Sequence, residues 1–178
     1  MEKKRIFVLS GVPGSGKSTL AKQLHGVIAT QGRNRIIIEN DAIRQMITGT
    51  NSQTVNKTYR WPNADFIRDS IKVLKMSMIE GILMKGQVQD IILDATHFNP
   101  QIHDFISSIC EKYGAQLINI RINIDHETAL QRAQNRERKE DLKTIEFVQS
   151  KLDQLNIEYD YVIDTNAYMQ DVTKIAAL

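Results

Sequence analysis

The sequence predicts an α/β fold, with a parallel sheet of about five strands, helices on both faces and a helical lid over one end. Three observations predict it. Short β-branched runs alternate with longer stretches of helical period. Gly32, Gly86 and Gly114 each fall between a helix and the next strand, where helices stop. The first strand runs directly into a glycine-rich turn and then a helix. At 178 residues and 42% hydrophobic content, the chain can bury one good core and little more, so residues 1–178 are expected to form a single domain.

The first strand is expected over 5–10, and it breaks into Gly11-Val12-Pro13-Gly14-Ser15-Gly16-Lys17-Ser18-Thr19. This is the P-loop pattern G-x-x-x-x-G-K-[ST]. Small residues let successive backbone N–H groups turn toward phosphates, Lys17 reaches the outer phosphates, and the Ser18 hydroxyl can ligate Mg²⁺. A helix over 17–30, apolar at Leu20, Ala21, Leu24, Val27 and Ile28, adds its positive N-terminal end. Gly11, Pro13, Gly14, Ser15, Gly16, Lys17, Ser18 and Thr19 are therefore the candidate nucleotide-binding set, and the α/β prediction sharpens to a P-loop NTPase fold.

The second strand is expected over 35–39 and a helix over 42–48. Between them lies Asn40-Asp41-Ala42-Ile43-Arg44, which puts a carboxylate near the strand end and a guanidinium three residues on, along one helical face. Ligands of open α/β sheets bind beyond the carboxyl ends of the strands. Asp41 can there receive the proton of an attacking hydroxyl while Arg44 holds a neighbouring phosphate; capping of the helix by Asn40 or Asp41 is the other reading. Residues 49–63 are polar and without clear period. Within them Asn56-Lys57-Thr58-Tyr59-Arg60-Trp61 interleaves two cations with two aromatics, a composition that can stack a base and hold a phosphate, or that forms a surface loop with Trp61 packed on the next helix. That helix, over 63–85, is expected to face the core with Phe66, Ile67, Ile71, Leu74, Met78, Ile79 and Ile82.

The third strand, 90–94, ends at Asp94, placed like the aspartate that orients Mg²⁺ or nearby groups in P-loop enzymes. Ala95 follows where a hydrolase of the Asp-Glu type would carry glutamate, which weakens hydrolysis as the main activity. His97 reads either as a polar wall of the site or as a packing residue at a helix start. With His25, His103 and His126 scattered along the chain, no histidine cluster with metal-ligand spacing arises. A helix over 101–113 carries Cys110, the one cysteine, read as a small buried hydrophobe. The fourth strand is expected over 116–122. Asp125 then caps a helix over 126–137 bearing Arg132 and Arg136 four residues apart, with another helix over 141–155. Two arginines on one face can clamp a triphosphate and neutralise the moving phosphoryl group, although a solvated helix end is the common meaning of such a charge run. Residues 126–155 are the candidate lid. A fifth strand over 160–164 and a helix over 168–177 complete the chain.

The charge balance of 23 basic against 21 acidic residues, +2 overall, requires no polyanionic partner. A single cysteine excludes an internal disulfide and suits a reducing compartment. The opening apolar run is too short for a signal peptide, and no stretch is long enough to span a membrane. A cytoplasmic protein is therefore expected.

Taken together, Gly-x-Pro-Gly-Ser-Gly-Lys-Ser-Thr, Asn-Asp-x-x-Arg-Gln after the second strand, Asp-x-Thr after the third and Arg-x-x-x-Arg on the lid resemble the kinase domain of phage-type polynucleotide 5′-hydroxyl kinases over roughly residues 5–155. The resemblance implies ATP and Mg²⁺ at Lys17 and Ser18, Asp41 as general base, Arg44 on the acceptor's phosphate, Asp94 as a further active-site carboxylate, and Arg132 and Arg136 as lid arginines. The implied acceptor is a nucleic-acid 5′ end. The same layout resembles zeta-toxin-like sugar-nucleotide kinases and other small P-loop kinases, so a small-molecule acceptor stays open. Two departures stand out. The segment Asp94-Ala-Thr-His-Phe-Asn-Pro is one residue longer than the phage pattern and lacks the basic pair found soon after it, and no Asp-x-Asp-x-Thr phosphatase motif occurs. A nucleotide-dependent switch is the third reading; the nearest match to its Asn-Lys-x-Asp motif, Asn56-Lys57-Thr58-Tyr59, lacks the aspartate.

Overall fold

Five runs rich in isoleucine, valine and leucine pair side by side, all parallel. They are β1 (Arg5–Ser10), β2 (Arg35–Glu39), β3 (Asp90–Asp94), β4 (Gln116–Asn123) and β5 (Tyr161–Asp164), ordered β2-β3-β1-β4-β5. The computed structural model describes residues 3–49, 64–135, 141–164 and 168–178; the expectation for 56–61 lies outside them. Seven helices are described: α1 (Lys17–Thr30), α2 (Asn40–Thr48), α3 (Ala64–Lys85), α4 (Pro100–Tyr113), α5 (His126–Gln134), α6 (Leu142–Asp153) and α7 (Tyr168–Ala176). None of them is long and apolar enough to cross a membrane.

The two-residue period of a strand sorts the central strand onto two cores. Phe7 and Leu9 join Leu20, Leu24 and Ile28 of α1 and Val172 and Ile175 of α7. Ile6 and Val8 face the other way and join Ile71 and Ile79 of α3 and Ile106 and Ile109 of α4. Both faces of β1 and β3 are thereby buried, which is why these strands read as nearly continuous apolar runs. A third cluster joins Ala129 and Ala133 of α5 to Ile145, Val148 and Leu152 of α6 and to Val12 of the glycine-rich loop, so α5 and α6 rest on that loop. Cys110 is buried in the second core as expected, and burial pushes its thiol up to about 11.

Three expectations need correction. Helix α2 begins at Asn40, with Glu39 at the N-cap position making no side-chain cap bond, so neither Asn40 nor Asp41 caps it; Asp41 lies in the first turn. On α3, Ile67, Ile71 and Ile79 are buried and Met78 and Ile82 pack against the core as expected, whereas Phe66 and Leu74 are exposed. The buried row of this helix is Ile67, Ile71, Lys75, Ile79 and Leu83, residues four apart, the spacing of the ridges by which helices pack. Phe66 is 65% exposed and Leu74 36%, whereas Lys75 is 2% exposed. Helices α5 and α6 are also shorter than expected: α5 stops at Gln134, and Asp141 caps α6 from outside by accepting from the Thr144 N–H at 2.8 Å.

Candidate active site

The loop between β1 and α1 is built around its glycines. Gly14 has φ +87° and Gly16 φ +94°, the left-handed region that L side chains rarely adopt. A Cβ at Gly14 would stand 2.3 Å from the carbonyl oxygen of Ala129 on α5. Thus Gly14 admits both the turn and the close approach of α5. Behind the loop, a Cβ on Gly11 would meet Ser15 Oγ at 2.7 Å and the Ile122 carbonyl at 3.0 Å. Lys17, in the first turn of α1, donates from Nζ to the carbonyls of Gly11 and Val12, both at 2.8 Å, and lies 3.3 Å from Ser15 Oγ. Ser15 donates its backbone N–H to the Val12 carbonyl at 3.1 Å. The loop is therefore closed on itself, with the lysine ammonium folded into it and the N-terminus of α1 immediately beyond, the arrangement that receives phosphate groups.

Across from this loop the strand ends carry acid. Glu39 ends β2 and Asp94 ends β3, and the two are register partners, with Asp94 also opposite Leu9 of β1. Asp94 is buried. The Glu39 carboxyl is raised above the ordinary glutamate value, first by burial, then by the charges of Asp94 and Asp41, with Lys22 opposing. Three carboxylates thus converge at the carboxyl ends of β2 and β3. Sequence reasoning identified Asp41 and Asp94 and missed Glu39. Its signal was available only in the register, because nothing in the sequence shows that residues 39 and 94 stand side by side.

Asp41 and Arg44 share one helical face as expected, and the guanidinium Nη1 donates to the Asp41 carboxylate. Arg44 thus pairs with Asp41 within the first two turns of α2. Asp125 caps α5, accepting from the Thr128 N–H at 2.8 Å. Arg132 lies exposed in the last turn of the same helix, which Gly14 approaches closely; Arg136 lies outside the described residues. His97 is buried, its Nδ1 2.8 Å from the Leu9 carbonyl oxygen, so it packs under the turn and does not wall the site.

The donor chemistry suits one class of cation. Ser18 supplies a hydroxyl and Asp94 and Glu39 supply carboxylates, all hard oxygen donors. Among the described residues no group of three or more His, Cys, Asp or Glu side chains is arranged to hold a metal by itself. Mg²⁺ fits such a partial set, because it is usually held by one or two carboxylates together with substrate phosphates and water.

Comparison with known proteins agrees with this architecture. The chain is 26% identical over 168 residues to a cytidylate kinase from Methanocaldococcus jannaschii, covering 92% of this chain and 89% of the relative. Among solved structures it superposes on a chain of the Pnkp1/Rnl/Hen1 RNA repair complex with a TM-score of 0.64 and 18% identity, over 86% of this chain and 45% of that one. It superposes on a gluconokinase from Sinorhizobium meliloti 1021 with a TM-score of 0.56 and 17% identity, over 99% and 91% of the two chains. These likenesses establish a shared P-loop kinase fold. Residues 6–160 match the AAA domain family, a span that runs from the first strand of the sheet to the threshold of the last, and the chain belongs to that family.

Proposed function

We propose that this protein is an ATP-dependent kinase that transfers the γ-phosphoryl group to a hydroxyl, with the 5′-hydroxyl of a polynucleotide as acceptor. What supports the proposal is Asp41, paired with Arg44 and near enough to Glu39, the register partner of Asp94, to raise its carboxyl, beside a phosphate loop closed around Lys17. A hydroxyl acceptor must lose a proton as it attacks, whereas a phosphate acceptor already presents a nucleophilic oxygen; a carboxylate held on the acceptor side therefore favours a hydroxyl. In the reaction the acceptor O–H proton passes to Asp41, the oxygen bonds to the γ-phosphorus, the bond to the β–γ bridging oxygen breaks, and ADP leaves. Lys17 leaves its loop carbonyls to meet the outer phosphates, and the loop N–H groups hold the triphosphate. Ser18 and Asp94 would hold Mg²⁺, which would supply positive charge to offset that of the phosphates. Arg132 and Arg136 would close on the triphosphate from the lid.

The polynucleotide acceptor is supported by the resemblance of the Asp41–Arg44 motif to polynucleotide kinases and by the superposition on a chain of an RNA repair complex. A small-molecule acceptor is the second reading, supported by the 26% identity to a cytidylate kinase. Purified protein given γ-labelled ATP should label a 5′-hydroxyl oligonucleotide in preference to nucleosides, cytidine monophosphate and sugar nucleotides. Preferential labelling of a small molecule would select the second reading, and labelling of none would overturn the kinase assignment. Asp41→Asn should lower kcat by about 10²–10⁴ with ATP affinity kept, while Lys17→Ala weakens triphosphate binding itself. Equal loss of ATP affinity in both variants would contradict this division of roles.

A further inference from the structure

Beneath the turn that follows Asp94 lies a buried polar unit that the proposed transfer steps do not use. Among the described residues His97 is the one non-glycine residue with positive φ, at +47°, a conformation that disfavours a side chain. It is 3% exposed. Its Nδ1 stands 2.8 Å from the Leu9 carbonyl oxygen, which requires the ring proton on Nδ1 as the donor. Its own carbonyl oxygen accepts from His103 Nε2 of α4, also at 2.8 Å, and the two rings meet edge to face with centroids 6.3 Å apart. His97 Nε2, left with its lone pair, is buried without a hydrogen-bond partner. Lys75, from the buried row of α3, acts electrostatically on both rings. Burial first, and then the Lys75 charge, hold His97 well below its ordinary value, so the ring is neutral and its tautomer is set by Leu9.

The chain position of these contacts gives them meaning. Leu9 is the second residue before Gly11, so the ring ties the turn carrying Asp94, Ala95 and Thr96 to the root of the phosphate loop. A buried left-handed histidine persists only where its surroundings over-determine it, and here a main-chain bond on each side does so. We infer that His97 is a positioning residue that sets the placement of Asp94 relative to the phosphate loop, braced by His103 from α4 and Lys75 from α3. The inference rests on the kinase reading of the site, in which a small misplacement of a reacting group costs rate steeply.

Three variants separate the ring bond from the backbone strain. His97→Ala loses both the donor and any preference for positive φ; His97→Asn tolerates that φ and can donate from Nδ2 to Leu9; His97→Gly relieves the strain but cannot donate. His97→Ala and His97→Gly should each lower kcat by about 10–100-fold with KM for ATP little changed. Both should raise several-fold the Mg²⁺ concentration needed for tight ADP binding, and leave metal-free ADP affinity unchanged. His97→Asn should recover most of each effect. Wild-type kcat and Mg²⁺ dependence in His97→Gly, or losses in all three variants that track only the fraction of unfolded protein, would overturn the inference. If the unaltered protein phosphorylates no acceptor, the kinase reading fails on its own, and the Mg²⁺ dependence of ADP binding still decides the role of His97.

Discussion

Strand β3 begins and ends on a buried aspartate, and the two ends treat that charge in opposite ways. At the amino end Asp90 is fully buried between two arginines. Arg5 Nε donates to it at 2.6 Å, and Arg33 grips it through Nε at 2.6 Å and Nη2 at 3.1 Å. Arg5 also reaches the Ala176 carbonyl at 2.8 Å and lies over the Phe7 ring, so one ion cluster joins β1, β3, the approach to β2 and the end of α7. At the carboxyl end Asp94 stands beside Glu39, with Asp41 near enough to raise the Glu39 carboxyl further. Like charge is gathered there, a few residues from a loop that receives phosphate. The amino end surrounds its one carboxylate with two cations and serves stability. The carboxyl end gathers three carboxylates closely enough to raise the Glu39 carboxyl despite the Lys22 and Arg44 cations nearby, a pattern common at catalytic sites.

Removing each aspartate should expose the difference. Asp90→Ala leaves two nearly buried guanidinium groups without their anion and should cost about 3–5 kcal/mol of stability, read as a lower urea midpoint, while the folded fraction keeps its specific activity. Asp94→Asn should do the reverse, lowering kcat by about 10²–10³, or roughly 3–4 kcal/mol in the barrier, with a melting temperature equal to or above that of the unaltered protein. Matching stability losses in the two variants would erase the distinction.

Lys75 sharpens it further, because this cation lies buried near the carboxyl end with burial as the cause of its lowered value, to about 8. A lysine depressed in the folded state binds fewer protons there than in the unfolded chain, so its penalty is complete below about pH 8 and is relieved as pH rises toward the unfolded value. Urea denaturation should show stability rising across that window by up to about 3 kcal/mol. Lys75→Met should remove the rise and add stability at neutral pH. A rise that persists in Lys75→Met would assign it to other groups.

The strands and most helix positions were legible in the sequence because β-branched runs and helical periods are local signals. Strands 5–10, 35–39 and 90–94 match to the residue, and Gly114 closes α4 as expected. Asp41 and Arg44 could be paired from their three-residue spacing alone. Glu39 could not be linked to Asp94, since residues 55 positions apart become neighbours only through the β2–β3 register. Nor could Lys75 be placed inside. A lysine in an amphipathic pattern reads as solvent-facing, and only the four-residue ridge of α3 against the sheet turns it inward. His97 was ambiguous for the same reason: its partners, Leu9 and His103, come from two other elements.

What the sequence determined by itself is therefore the phosphate loop and the elements that flank it. Positive φ at Gly14 and Gly16, the lysine and serine that open α1, and the two-residue alternation of β1 all follow from sterics and periodicity within a dozen residues. Only the tertiary structure decided what faces that loop. The order β2-β3-β1-β4-β5 inserts β3 beside β1, carrying Asp94 to the loop, drawing Glu39 alongside it and placing His97 beneath. These juxtapositions depend on pairing between distant segments, where the free energy is set by how whole faces pack and no short stretch of chain specifies the partner.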